Sequence, residues 1–245
     1  MSNDIHNNNS ECKEITQRIV ALDFDSTLGD FVLLSTWYNN AEQPIIYCIM
    51  KYILKKLPNI LRPYVRLFFK QLEKMKEHDI IDKVVIYTAN GNMSYVMSVV
   101  GIIEELSDTC GLIGGYYFSS MTDGKVKNLK MISNDYSKIF LVDDNYTVPQ
   151  EQLQQLIKVD SYFSSYKTSE VIDKIYEKYS FACKYSKEVF ATVIKKDEEQ
   201  FNKLNMTEDD ELLRILDLIE SRFDKNGKVV TEELFKSEYF VLCEE

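Results

Sequence analysis

RIVALDFDSTLGD, residues 18–30, opens as a run of apolar, partly β-branched residues and breaks at Asp23 and Asp25 into carboxylates, two hydroxyls and a glycine. Two stretches far along the chain repeat the design: KVVIYTAN (83–90) ends in Thr88 and KIFLVDDN (138–145) ends in Asp143 and Asp144. Continuous apolar runs of this length suit strands buried on both faces, as in a parallel sheet. Helical patterns lie between them. In RPYVRLFFKQLEKMKEHD (62–79) Val65, Phe68, Phe69, Leu72 and Met75 follow a 3.6-residue period, and Pro63 suits the first helical position. A second helix is predicted from Asn92, a capping residue, carrying Val96, Val99, Val100 and Ile103. Strands alternating with helices predict an α/β fold with right-handed crossovers. In such sheets ligands bind beyond the carboxyl ends of the strands, which is where all three polar clusters fall.

The remainder of the chain narrows the function classes. Of 245 residues, 29 are Lys or Arg and 39 are Asp or Glu, a formal net charge of −10 that disfavours nucleic acid and anionic membranes as direct partners. The cysteines, Cys12, Cys48, Cys110, Cys183 and Cys243, are odd in number and scattered without C-x-x-C spacing, so neither a disulfide framework nor a thiolate zinc site is indicated. His6 and His78 give little material for a His-based metal site or triad. With no apolar run long enough to span a bilayer and no signal-like start, the expectation is a soluble intracellular protein, cytoplasmic or nuclear. Residues 1–17 are polar, with an Asn run, and are expected to form a disordered tail. Helices are expected over 166–195 and 208–223; residues 161–245 hold 13 Lys+Arg against 19 Asp+Glu, an acidic extension distinct in kind from the α/β part.

Asp23 and Asp25, two apart at a strand end, disfavour joint ionisation unless they share a cation, and a hard divalent ion, first of all Mg²⁺, is the natural occupant. A carboxylate at the end of a buried strand can attack phosphorus to give an aspartyl-phosphate. Its neighbour two residues on can protonate the leaving alkoxide and later deprotonate water. Taken alone, D-x-D-x-T also reads as an Asx-rich turn.

LDFDST, the strand ending in Thr88, a lysine in GKVKNL and the strand ending in VDD resemble the four motifs of the haloacid-dehalogenase superfamily. More narrowly, RPYVRLFFKQLEKM, VVIYTANGNMSYVMSVV, VKNLKMI and IFLVDDN resemble the family of RNA polymerase II C-terminal-domain phosphatases and NLI-interacting factors. The resemblance spans roughly 18–180. It implies a Rossmann-like parallel sheet of the haloacid-dehalogenase type, with a small insertion after the first motif and a C-terminal helical extension. Residues 18–180 would form the phosphatase domain and 181–245 the extension. It implies Asp23 as nucleophile and metal ligand, and Asp25 as general acid/base that also offers its main-chain carbonyl to the metal. Thr27, Thr88 and Lys127 become the phosphate-binding set: Thr27 fixes the loop, Thr88 hydrogen-bonds a phosphoryl oxygen and Lys127 neutralises it. Asp144 would bind Mg²⁺ through its side chain, and Asp143 would support the site or the metal's waters. Lys125 and Lys130 are the alternatives for the amine.

The implied activity is that of a Mg²⁺-dependent protein serine/threonine phosphatase, with a phosphorylated peptide such as the polymerase tail as partner. Alternatives are a phosphatase of the same superfamily acting on small molecules or polynucleotide ends, and a docking module that has lost its chemistry. The family's β-rich insertion has no match here: residues 29–61, with PIIYCIMKYILKKLPNIL, read as helical. Lys51, Lys55, Lys56, Arg62, Arg66 and Lys70 form an acid-free basic run, which reads either as a guide for an acidic peptide or as the solvated faces of helices. FDKNGKVVTEEL (223–234) is similar to a calcium loop, but its glycine comes too early, and a turn is expected. Richness in Lys, Asn, Ile and Tyr is the composition an AT-rich genome encodes, such as that of a large DNA virus.

Overall fold

The computed structural model describes residues 17–42, 45–119, 126–164, 169–201 and 209–223. Its centre is a five-stranded, all-parallel sheet in the order β3-β2-β1-β4-β5. β1 is Ile19–Leu22, β2 Lys83–Thr88, β3 Ile113–Phe118, β4 Ile139–Asp143 and β5 Leu156–Lys158. β1 pairs in register with β2 (Ile19 with Lys83, Leu22 with Ile86) and with β4 (Ile19 with Ile139, Leu22 with Val142). The chain therefore builds outward from β1 to β2 and β3, then returns to the other side of β1 for β4. That reversal opens a crevice at the carboxyl ends of β1 and β4, the usual ligand position in such sheets.

The apolar runs are buried on both faces, as their composition requires. Val20, Leu22, Val84, Ile86, Phe140 and Val142 enter the larger core, while Ile19, Ala21, Val85, Tyr87, Ile139 and Leu141 enter a second one. Among the described residues the α-helices cover the first face: α1 (Val32–Asn40), α2 (Ile45–Lys56), α3 (Val65–Glu77), α4 (Met93–Ser107), α5 (Ser169–Tyr179), α6 (Lys187–Phe201) and α7 (Glu211–Phe223). On the second face Leu129, Val148 and Leu156 pack with Ile132 and Tyr136, contributed largely by irregular chain.

The insertion after β1 is helical, as its sequence reads. α1 and α2 bury Trp37, Ile46, Ile49, Met50 and Ile53. Asn92 caps α4, its side chain accepting from the Tyr95 N–H at 3.1 Å. Two expected boundaries differ. The helix expected from 62 begins at Val65, because Arg62 is tied back through its N–H to the Leu28 carbonyl at 3.0 Å and Tyr64 turns the chain in the left-handed region (φ 64°). The helical stretch expected over 166–195 is divided into α5 and α6, and α6 runs on to Phe201. The break lets Glu42 N–H reach the Ala182 carbonyl (3.0 Å) and Lys184 N–H the Asn40 carbonyl (2.7 Å), fastening the segment to the end of α1.

α6 and α7 share the same core as the strands. Phe190 and Ile194 of α6 and Leu212, Ile215, Leu216 and Ile219 of α7 are buried in it, and α7 lies against α3. The expected N-terminal tail (apart from Gln17) and the calcium-like stretch (apart from Phe223) lie outside the described residues. Most of the basic run is engaged: Lys51 pairs with Glu105, Lys70 with Asp108 at 3.6 Å, and Arg66 donates to the Leu106 carbonyl at 2.7 Å. Arg62 is no solvated residue at all, being 2% exposed.

Candidate active site

β1 hands over to a tight turn. Asp23 N–H still donates to the Val142 carbonyl at 2.9 Å, so the first aspartate stays in the plane of the sheet beside β4. Alternation then sends Phe24 inward, stacked on Phe31 with centroids 4.3 Å apart, and leaves Asp23 and Asp25 on the crevice side. Ser26, at φ 59°, reverses the chain, and its N–H closes the turn on the Gly29 carbonyl at 2.9 Å. Gly29 is required by space: a Cβ there would lie 2.5 Å from the Ile60 carbonyl oxygen.

The remaining strands deliver the other groups expected from sequence. Asp143 ends β4 and Asp144 follows it, both buried. Lys127, 1% exposed, is anchored by its N–H on the Thr147 carbonyl at 2.7 Å. Its Nζ lies 2.5 Å from Asp23 Oδ1 and 2.7 Å from Asp143 Oδ2. Of the alternative amines, Lys130 is exposed and sits over the Tyr136 ring, and Lys125 lies outside the described residues. Thr27 Oγ1 is within 3.4 Å of both Asp23 Oδ2 and Asp144 Oδ1 and accepts from the Asp144 N–H at 3.2 Å. Thr88, at the end of β2 and 1% exposed, accepts from the Asn90 N–H at 3.0 Å.

Several partners gave no signal in the sequence reading. Asn90 Nδ2 donates to Asp25 Oδ2 at 3.0 Å, fixing the one carboxylate of the set that stays open to solvent. Ser161 Oγ donates to Asp144 Oδ2 at 2.6 Å. Thr147 Oγ1 and the Asn145 N–H donate to Asp143 at 2.5 and 2.7 Å, so with Lys127 both Asp143 oxygens are occupied. Asn90 stands inside the TAN string that ends the second run, but nothing local marks it as the partner of Asp25. Ser161 lies in a loop with no local pattern.

Electrostatics set the terms for any ligand. Burial pushes the Asp23 carboxyl up to about 7; Lys127 pulls it down, and the charge of Asp143 adds to the rise. Asp25 is also raised, chiefly by desolvation, with Asn90 opposing. Asp23, Asp143 and Asp144 each offer an oxygen, all within 4.8 Å of one another. Three buried carboxylates face one ammonium, so a net negative charge is held out of water, and the donors are all hard oxygens. That set fits a small divalent cation such as Mg²⁺. The Asp25 carboxylate is not part of the group.

Among the described residues no helix is long and apolar enough to cross a membrane. No curated protein matches the chain at a significant level. A family model described as NLI interacting factor-like phosphatase matches residues 18–189, a span that begins one residue before β1 and runs into α6, taking in every catalytic candidate above. With its parallel sheet and the carboxylate cluster at the switch point, the chain belongs to the NLI interacting factor-like phosphatases of the haloacid-dehalogenase superfamily.

Proposed function

We propose that this phosphatase is a Mg²⁺-dependent protein serine/threonine phosphatase working through an aspartyl-phosphate on Asp23, with a phosphorylated peptide of the polymerase-tail type as substrate. The observation that carries the reading is Asp23 itself: a strand-end carboxylate with one oxygen on Lys127 and the other beside Thr27, two residues before a second, solvent-facing carboxylate. In the first step an Asp23 oxygen bonds to phosphorus as the bond to the seryl oxygen breaks, and Asp25 in its acid form gives that oxygen its proton. Desolvation raises the Asp25 carboxyl, which favours the proton-carrying form. In the second step Asp25, now a carboxylate, takes a proton from water whose oxygen bonds to phosphorus, and the bond to Asp23 breaks to release phosphate.

In this reading Lys127 supplies positive charge at the attacking carboxylate, and Thr88 would donate to a phosphoryl oxygen. Asp23, Asp144 and the Asp25 carbonyl would hold Mg²⁺, with Asp143 keeping Lys127 in place. Bound there, the cation supplies charge neutralisation for the phosphoryl oxygens. Asp25 faces solvent with Asn90 beside it, and Tyr146, just past Asp144, is 76% exposed, which supports a substrate phosphate arriving from that side. The acidic chain disfavours polynucleotide ends.

The test is hydrolysis of phosphoserine peptides and of a 5′-phosphorylated oligonucleotide by wild type, chelated wild type and Asp23→Asn. Peptide turnover that disappears on chelation and in Asp23→Asn supports the proposal. Turnover surviving in Asp23→Asn, or a preference for the oligonucleotide, sinks it.

A further inference from the structure

We infer that Arg62, held by Asp209 just before α7, is a positioning residue for Asp144 and through it for the divalent cation. The inference rests on the Mg²⁺ reading of the site proposed above. Arg62 is a buried cation whose partners among the described residues are a carboxylate and two loop carbonyls beside the crevice. Its Nε donates to both Asp209 oxygens at 2.9 and 3.1 Å, its Nη2 to the Asp160 carbonyl at 2.9 Å and its Nη1 to the Thr27 carbonyl at 3.4 Å. The guanidinium also lies over the Tyr162 ring, 5.8 Å from its centroid.

Those two carbonyls belong to the two loops that hold Asp144. Thr27 Oγ1 donates to Asp144 Oδ1 and accepts from the Asp144 N–H, and Ser161, next to Asp160, donates to Asp144 Oδ2. Between the loops, the Tyr162 N–H reaches the Ser26 carbonyl at 2.8 Å. One guanidinium thus fixes the spacing of the hydroxyls on either side of a single carboxylate. The counter-charge comes from beyond residue 189, outside the span the family model matches. Asp209 is itself steadied at the start of α7, accepting from the Glu211 N–H at 3.2 Å.

Without Asp209 a buried guanidinium would be left without a counterion and would be drawn toward water, loosening both carbonyl contacts. Groups that orient metal ligands at one remove typically change metal affinity 10–100-fold when lost, and because Arg62 acts through Thr27 and Ser161, about tenfold is expected.

The experiment is Mg²⁺ titration of the full chain by isothermal titration calorimetry, with thermal melts alongside, for wild type, Asp209→Ala, Asp209→Asn and Leu216→Ala. Asp209→Ala should bind Mg²⁺ about tenfold more weakly, and Asp209→Asn, which keeps an oxygen for Arg62, about threefold more weakly. Leu216→Ala strips core packing from α7 without touching the network, so it should lower Tm and leave the Mg²⁺ Kd at the wild-type value. Should Asp209→Ala fail to fold, Asp209→Asn carries the comparison. Unchanged Kd in the Asp209 variants with a normal wild-type value overturns this inference alone, as does equal weakening in Leu216→Ala. A wild type that binds no Mg²⁺ overturns the inference and the Mg²⁺ reading together.

Discussion

Replacing Lys127 with methionine removes one charge from the centre of the site while keeping the side chain's length. Lys127 is 1% exposed and neutralises Asp23 at 2.5 Å and Asp143 at 2.7 Å, so the variant keeps three buried carboxylates, counting Asp144, with no cation among them. Removing one partner of a buried ion pair costs about 3–5 kcal/mol, and serving two carboxylates puts Lys127 in the upper part of that range. For a chain of this size each kcal/mol moves Tm by roughly 2–4 °C, so about 4–5 kcal/mol corresponds to a fall of roughly 8–20 °C in the metal-free protein.

The loss has a pH signature. Burial already lifts Asp23 to about 7, and without the ammonium that pulls it down it rises further. The folded variant then takes up the Asp23 proton at a higher pH than the wild type does, so its deficit is full above that raised value, narrows as pH falls to about 7, where the wild-type carboxyl titrates, and stays at the smaller value below. Circular-dichroism melts in chelator at about pH 8 and about pH 5.5 read both effects. A shift under about 2 °C at the alkaline end, or a deficit that widens with acid, would refute the reasoning.

Gly29→Ala should cost about 1–3 kcal/mol in urea unfolding, because the new Cβ would meet the Ile60 carbonyl oxygen at 2.5 Å and backbone cannot swing aside; a change within about 0.5 kcal/mol would show that the seam yields. Asp82 is held below the usual carboxylate range by hydrogen bonds from Arg18, whose Nε and Nη2 lie 3.0 and 2.8 Å away. Its contribution is therefore present above the ordinary carboxylate pKa and lost as pH falls through the lowered folded value, so Asp82→Asn should cost about 1 kcal/mol at neutral pH and nothing in strong acid. A pH-independent loss would place the effect elsewhere. Gln71 Nε2 is buried without a hydrogen-bond partner among the described residues, so Gln71→Met should raise stability by about 1 kcal/mol; an unchanged or lower Tm would mean the amide is satisfied.

How far each feature could be read from sequence follows from how local its cause is. β1, β2 and β4 were legible because central parallel strands bury both faces and leave unbroken apolar runs. β3, IGGYYF, is an edge strand with two glycines and mostly half-buried residues, and β5 is three residues long, so neither left such a mark. The carboxylates stood out because they end apolar runs, whereas Lys127 was singled out only through a family resemblance and otherwise looks like any helix-flanking lysine. Asn90 meets Asp25 across 65 residues and Arg62 meets Asp209 across 147, distances over which no spacing rule operates. Arg62 also looked like one member of a basic run, since composition cannot distinguish a solvated arginine from one enclosed by its carboxylate and two carbonyls.

The most direct test of the proposed chemistry is to trap phosphorus on Asp23. In Asp25→Asn an aryl phosphate, whose leaving group needs no proton, should still transfer its phosphoryl group, while the second step, deprived of its base, slows and the acyl phosphate accumulates. Borohydride reduction of that species converts the acylated aspartate to homoserine, which peptide mass spectrometry locates. Homoserine in place of Asp23, requiring both the aryl phosphate and Mg²⁺, is the predicted result. Turnover of the same substrate with Asp23 never converted, or with the label on another residue, would contradict it.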